Sequence, residues 1–216
     1  GRYMAMIDDF QHLLRISPDL AVCDQHPEYV SSRALAARKE TGPGQYELFK
    51  VQHHHAHLVS CLADNGLVGQ AVGIIADGTG YGPDGHLWGM EILVGDYLGY
   101  TREAHLEYVP LPGGESSIFN PRRIAMSYLK QCLGPSWISA AGKLFTGQGR
   151  EIEIIDRLLD AGFNCPLSSG CGRLFDAVSA LLGLCTVSSY DGQAASILGS
   201  LVDGAPPFFN TDYRFT

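Results

Sequence analysis

Four of the five consecutive positions from His53 to His57 are histidine. On a helix, His53 and His57 are one turn apart and project from the same face, so their imidazoles can bind one metal ion. Histidine has no high helix propensity, so four of them are a poor choice for a merely solvated helix. A purification tag is normally terminal and uninterrupted, whereas this cluster is internal. The spacing predicts a metal site, with structural histidines as the alternative.

Two histidines need a further ligand, and Asp77 is the best candidate in the sequence. It follows the apolar run 71–76, which predicts a buried strand, and it begins a glycine-rich segment. Two imidazoles and one carboxylate leave coordination positions open, a geometry suited to iron(II) or another divalent ion with substrate bound. The alternative is that Asp77 only starts a turn, as aspartate often does. The histidine cluster favours the ligand interpretation.

The segment that follows Asp77 is rich in glycine. Glycine permits positive φ angles and close approach, so that successive backbone N–H groups can bind phosphate oxygens. The candidate nucleotide-binding residues here are Gly78, Thr79, Gly80 and Gly82. The segment has neither the Gly-Lys-Ser/Thr ending of a Walker A loop nor the G-x-G-x-x-G pattern. On spacing alone, a plain hairpin turn is the better explanation.

A second glycine-rich segment leads into a helix with one apolar stripe. The free N–H groups and the macrodipole at a helix N-terminus favour anions. Ser169, Gly170 and Gly172 are therefore candidates for binding another part of a nucleotide. The alternative is a well-capped core helix, which is favoured where no other observation supports binding.

Alternating strand and helix patterns position these candidates. Apolar runs and turn signals predict strands over 20–23, 48–51, 71–76, 87–94 and 98–106. Helical periodicity predicts helices over 4–16, 31–39, 55–65, 121–133, 150–161 and 172–183. Strands that alternate with helices, followed by a mainly helical half, predict an α/β architecture.

Composition excludes several classes of protein. A chain of 216 residues favours one domain of two lobes. The formal net charge of −8 and the lack of a long basic run argue against nucleic-acid binding. The six cysteines form no C-x-x-C pair and suit buried positions in a reducing cytoplasm. The apolar runs are too short to span a bilayer. We therefore expect a cytoplasmic protein that does not bind membranes.

Several motifs together resemble the HypF carbamoyltransferases. They are the stretches His53–His57, Asp77–Gly82, Leu87–Gly89, Asp24–Tyr29, Pro110–Gly114, Gly172–Ala177 and Tyr190–Ala195. They follow the family's order over residues 20–195, which is most of the chain. The resemblance implies an actin- and sugar-kinase-like (ribonuclease-H-like) ATPase fold, with lobes at about 20–110 and 111–216. It also implies a domain similar to the tRNA threonylcarbamoyltransferases.

The resemblance implies residue roles as well. His53, His57 and Asp77 correspond to ligands of a divalent metal, with Fe, Zn, Mg and Mn all open. The glycines of the segment 78–82 correspond to a phosphate loop, and the segment 170–176, which includes Asp176, corresponds to part of the nucleotide cleft. The nucleotide would be ATP or AMP.

The reaction that the resemblance implies is acyl transfer. Carbamoyl phosphate and ATP would form carbamoyl-adenylate, and the carbamoyl group would pass to the C-terminal cysteine of HypE during [NiFe]-hydrogenase maturation. The partner's thiolate is then the nucleophile, so no catalytic nucleophile is assigned in this chain.

The chain also departs from the family pattern. It lacks an acylphosphatase-like segment, C-x-x-C zinc fingers, a domain for making the adenylate, and the family's distal glycine-rich segment and late metal-binding aspartate. We therefore expect a fragment with an incomplete second lobe, which binds ligands weakly and completes no reaction alone.

The alternatives to this function are a related transferase acting on tRNA or a small molecule, and an inactive module that binds metal, nucleotide or a partner. The acidic balance and the Gly172–Ala177 motif favour the HypF branch.

Overall fold

The fold is taken from a computed structural model, which describes residues 2–41 and 46–202. The strands are β1 (Leu20–Asp24), β2 (Glu47–Val51), β3 (Ala71–Tyr81), β4 (Leu87–Gly95), β5 (Tyr100–His105), β6 (Val109–Pro110) and β7 (Leu167–Ser168). The helices are α1 (Arg2–Leu14), α2 (Val30–Thr41), α3 (His53–Asp64), α4 (Pro121–Leu133), α5 (Trp137–Leu144), α6 (Gly149–Ala161), α7 (Cys171–Leu181) and α8 (Gln193–Ser200). The predicted α/β class is confirmed.

The chain forms two compact units. Unit 1 comprises residues 1–108 and 167–171, and unit 2 comprises residues 109–166 and 172–216. Unit 1 contains every described strand except β6, together with α1, α2 and α3. Unit 2 contains α4, α5, α6, α8 and most of α7. No helix in the described part of the chain is long and apolar enough to cross a membrane.

Unit 1 contains two sets of paired strands. β1 and β2 are parallel, with Asp24 opposite Val51, and α2 makes the crossover that parallel strands require. β4 pairs antiparallel with β3 and β5, and it pairs with β7 in parallel.

Helix α3 contributes two leucines to a core shared with β3 and β4, made of Leu58, Leu62, Ile75, Trp88 and Leu93. Burial of these side chains positions α3 against the strand that carries Asp77.

Strand β3 is longer than predicted. It continues past residue 76 to Tyr81, because Gly80 and Tyr81 find pairing partners in β4 after a register shift. Residues 77–81 of the glycine-rich segment are therefore strand, and the hairpin turn favoured on spacing alone lies beyond Tyr81. The hairpin turn comes later: the Gly82 N–H donates to the His86 carbonyl at 2.9 Å, and Gly85 has a φ of 80°.

Unit 2 is mainly helical, as predicted for this half of the chain. Helix α4 has the predicted bounds, and it begins with a proline, whose fixed φ angle suits the first helical position. Arg122 and Arg123 of α4 donate to the two oxygens of Glu151 of α6, at 2.7 and 2.8 Å. Helices α5 and α8 were not predicted, because each has only eight residues and too few turns to show a periodic pattern.

Candidate metal centre

Helix α3 begins at His53, two residues earlier than predicted, because Gln52 caps it. The Gln52 side-chain Oε1 accepts the backbone N–H of His55 at 2.8 Å. This bond satisfies one of the free donors of the first helical turn. The cap places His53, His54 and His57 on the helix, so that the helical spacing assumed from the sequence applies to them.

The three predicted metal ligands lie together in unit 1. One ligand atom from each of His53, His57 and Asp77 lies within 4.8 Å of the others. The Nε2 atom of His53 is 3.1 Å from Oδ2 of Asp77 and 3.3 Å from Nε2 of His57. Atoms bound to one transition-metal ion lie about 3–3.5 Å apart, because each is about 2.0–2.2 Å from the metal. The residues therefore fit a divalent ion.

Asp24 orients the first of these ligands. Its Oδ2 is 2.7 Å from Nδ1 of His53, and its Oδ1 accepts the backbone N–H of His26 at 2.7 Å. A carboxylate on Nδ1 leaves the Nε2 lone pair of His53 free for a metal and makes that nitrogen more basic. Sequence reasoning did not name Asp24 as a site residue. The sequence feature that could have identified Asp24 is its position at the carboxyl end of a predicted strand. The parallel strand β2 ends at the same edge.

His54 lies beneath the ligands and is fully buried. Its Nε2 is 3.6 Å from Oδ2 of Asp77. Desolvation lowers the pKa of His54 to about 4, against the opposing effect of the nearby Asp77 carboxylate. The imidazole is therefore uncharged near neutral pH.

Gly80 allows β3 to pack directly against the histidines. A Cβ at this position would lie 2.4 Å from Cε1 of His54 and 3.0 Å from Cδ2 of His53. Neither Gly80 nor Gly82 has a left-handed φ, so backbone strain does not explain the need for glycine at Gly80. In an extended strand any residue adopts the backbone conformation, and the constraint here is space.

Replacing Gly80 with alanine is expected to weaken metal binding. The added methyl group would clash with His53 and His54, at a cost of about 1–3 kcal/mol for overpacking, and it would displace the ligand His53. Zinc titration should show an affinity lower by about tenfold or more, in the range seen when ligand orientation is lost.

Gly99→Ala is the matched control for this substitution, because its Cβ would meet nothing within 4 Å and its φ is not left-handed. Circular dichroism should show that both variants fold. If Gly80→Ala bound zinc as tightly as Gly99→Ala, the close approach of strand and helix would not matter for the site.

Ser169 and Gly170 also lie in unit 1, in a separate polar network. The Ser169 hydroxyl donates to Oε1 of Glu91 at 2.5 Å, and the Gly170 N–H donates to Oγ of Ser168 at 3.0 Å. Glu91 is fully buried, and its other oxygen accepts Nε of Arg102. Sequence reasoning did not name this ion pair. The sequence feature that could have indicated this ion pair is the single glutamate within the otherwise apolar strand β4.

Gly172 and Asp176 belong to unit 2 and lie on α7. Asp176 is 2% exposed, and its Oδ2 is 3.2 Å from Nη1 of Arg173, which pairs in turn with Asp191 at 2.9 Å. Desolvation raises the pKa of Asp176 to about 6, and the Arg173 charge opposes this shift. Oδ2 of Asp176 and Nε of Arg173 have no hydrogen-bond partner in the described part of unit 2. A bound ligand or water can satisfy such buried atoms.

Known proteins resemble this chain over most of its length. Residues 1–64 match the family described as the HypF Kae1-like domain, and residues 73–215 match the carbamoyltransferase Kae1-like domain, second subdomain. The carbamoyltransferase HypF of Rhodobacter capsulatus is 42% identical over 203 residues, which are 92% of this chain and 26% of that protein. The probable carbamoyltransferase HypF of Methanocaldococcus jannaschii is 34% identical over 190 residues, 86% of this chain and 24% of that protein.

Two solved structures are similar as well. Full-length HypF in a phosphate- and nucleotide-bound form has a TM-score of 0.82 at 37% identity, over 92% of this chain and 25% of that one. HypF from T. kodakarensis has a TM-score of 0.79 at 32% identity, over 97% of this chain and 28% of that one. The chain thus spans about a quarter of the length of these relatives. The expected actin- and sugar-kinase-like fold is confirmed, and the chain belongs to the HypF carbamoyltransferase family.

Proposed function

We propose that this chain provides the metal-binding part of a carbamoyltransferase, with His53, His57 and Asp77 as ligands. The observation that carries the proposal is the convergence of their three ligand atoms within 4.8 Å, together with the Asp24 carboxylate on the far nitrogen of His53. Two imidazoles favour iron(II) or zinc over magnesium, which prefers oxygen ligands. When bound, the metal would supply Lewis-acid polarisation of a phosphate oxygen.

The reaction proposed for the whole protein is the transfer of a carbamoyl group from carbamoyl-adenylate to the C-terminal cysteine of HypE, in hydrogenase maturation. The new bond joins the HypE sulfur to the carbamoyl carbon, and the bond from that carbon to the phosphate oxygen breaks as AMP leaves. Because the attacking thiolate belongs to the partner, this chain needs no nucleophile of its own. Its residues would bind and orient the adenylate. A groove beside the ligands, with Val22, Val51 and Ala56 in its lining, adds apolar surface there.

We propose that residues of the two glycine-rich segments contribute to nucleotide binding, each set within its own unit. In unit 1 these are Gly78, Thr79, Gly80, Gly82, Ser169 and Gly170, and in unit 2 they are Gly172 and Asp176. In support, one HypF structure is described as phosphate- and nucleotide-bound, and the first segment continues directly from Asp77. The Gly78 N–H donates to Oδ1 of Asp77 at 2.6 Å, so Gly78 would contribute to nucleotide binding indirectly, by fixing this carboxylate.

A domain exchange tests the proposed activity. This chain replaces the matching quarter of the Rhodobacter capsulatus relative, and the purified chimera receives ATP, carbamoyl phosphate, a divalent metal and HypE. We expect AMP release and a gain of mass on the C-terminal cysteine of HypE, as with the parent protein measured in parallel.

A His57→Ala chimera is the matched control, since it loses one metal ligand from a partly exposed helix position. Its rate should fall by at least about 10–100-fold, the loss expected even for residues that only orient ligands. The proposal fails if the chimera folds and binds metal, yet releases no AMP and leaves HypE unmodified.

A further inference from the structure

We propose that His54 is a positioning residue, which restricts Asp77 to binding the metal through a single oxygen. This inference rests on the metal site proposed above. It starts from two buried polar atoms, Nε2 of His54 and Oδ2 of Asp77, which face each other at 3.6 Å. Neither has a hydrogen-bond partner among the described residues. Because His54 is fully buried, bulk water does not reach its ring.

The side chain of Gln52 determines which nitrogen of His54 carries the proton. Oε1 of Gln52 accepts the backbone N–H of His55, which can only donate. The amide nitrogen of Gln52 is 3.2 Å from the backbone carbonyl oxygen of Tyr81, which can only accept. These two backbone groups orient the amide without ambiguity. The same amide nitrogen lies 3.2 Å from Nδ1 of His54.

It follows that Nδ1 of His54 faces an N–H donor and must present its lone pair. A neutral imidazole with a lone pair on one nitrogen carries its proton on the other. Nε2 of His54 is therefore an N–H donor directed at Oδ2 of Asp77, and it has no lone pair to offer a metal. β3 covers the same ring closely, since a Cβ at Gly80 would lie 2.4 Å from its Cε1. A movement of about 0.6 Å would bring the contact to hydrogen-bond length.

Both oxygens of Asp77 are then engaged. Oδ1 accepts the Gly78 N–H at 2.6 Å, and Oδ2 faces the His54 donor on one side and Nε2 of His53 on the other. One lone pair of Oδ2 remains for the metal, and Oδ2 is the oxygen that lies 3.1 and 3.8 Å from the Nε2 atoms of His53 and His57. With Oδ1 held by the Gly78 N–H, the carboxylate binds the metal through Oδ2 alone. The ion keeps three protein ligands and open positions, as a site that must also bind substrate requires.

Nuclear magnetic resonance of the 216-residue chain with nitrogen-labelled histidine tests the proton assignment directly. The long-range proton–nitrogen spectrum is recorded without metal and with zinc. We expect a protonated Nε2 and an unprotonated Nδ1 for His54 in both states, while the Nε2 signals of His53 and His57 move on zinc addition. A proton on Nδ1 of His54, or a zinc-dependent shift showing its Nε2 bound to the metal, would overturn the inference. If zinc moved no signal of His53 or His57, the metal site itself would fail, which is a different result.

Two substitutions test the effect on the metal. His54→Gln places an amide nitrogen near the position of Nε2, whereas His54→Asn is too short to reach Asp77. We expect His54→Asn to lower zinc affinity by about 10–100-fold and His54→Gln to retain most of it. The absorption spectrum of bound cobalt(II) should change in His54→Asn only, because a freed carboxylate can bind through both oxygens. A purely structural role for His54 would not produce this difference.

His55→Asn is the matched control on the same helix, because Nε2 of His55 lies 2.8 Å from the Asp96 carbonyl oxygen and takes no part in the ligand group. It should leave zinc affinity and the cobalt spectrum unchanged. Equal zinc affinity and equal spectra for His54→Asn and His54→Gln would contradict the positioning role. If His54→Asn did not fold, the resonance experiment on the unaltered chain would still decide the matter.

Discussion

Replacing both His53 and His57 with alanine is expected to remove bound metal while leaving the fold intact. The two side chains are 29% and 55% exposed, so their loss leaves no buried cavity in the core of unit 1. Each substitution removes a ligand, and a lone carboxylate from Asp77 does not retain a transition-metal ion. Zinc affinity should fall by far more than the about 10–100-fold that follows the loss of a residue that orients ligands.

The measurement combines elemental analysis after dialysis with calorimetric zinc titration. His55→Ala serves as a control, since it removes a histidine of the same helix that lies outside the ligand group. Circular dichroism should be the same in all variants. Metal content equal to that of the unaltered chain in the double variant would rule out this site.

The second large effect concerns the stability of unit 1. Arg102→Met should lower the free energy of unfolding by about 3–5 kcal/mol, because it leaves the Glu91 charge buried without its partner. Glu91 is 0% exposed, and Arg102 is its only charged hydrogen-bond donor among the described residues. The Arg102 guanidinium lies 3.8 Å from the centre of the Trp88 ring, and methionine retains apolar packing there. The decrease in the free energy of unfolding therefore reflects mainly the loss of the Arg102 charge.

Urea unfolding measures this difference. Adding Glu91→Gln to Arg102→Met should recover part of the loss, since it removes the unpaired charge. Arg157→Met is the exposed control: its partner Glu153 is 3.8 Å away and both side chains are more than 70% exposed, so we expect a change within about 0.5 kcal/mol. A loss in Arg102→Met no greater than in Arg157→Met would mean that the buried pair contributes nothing.

Local patterns in the sequence predicted much of the architecture and the ligand set. If the segment is helical, the spacing of four places His53 and His57 on the same face of the helix. This follows from the sequence because helical periodicity is a local property. Helix α4 could be predicted with its exact bounds, since it is long, periodic and preceded by a helix-starting signal. Asp77 was identifiable as a candidate because it follows an apolar strand. The family motifs gave the same residues and the fold.

The tertiary structure alone decided how these residues are supported. Asp24 reaches His53 only because β1 and β2 are parallel and end at the same edge, a pairing between residues far apart in the chain. The glycine-rich segment became strand because β4 offers it partners, which propensity does not predict. The proton position on His54 follows from contacts of Gln52 with a residue 29 positions away. Such contacts depend on packing between distant segments, whereas sequence patterns report only neighbours along one element.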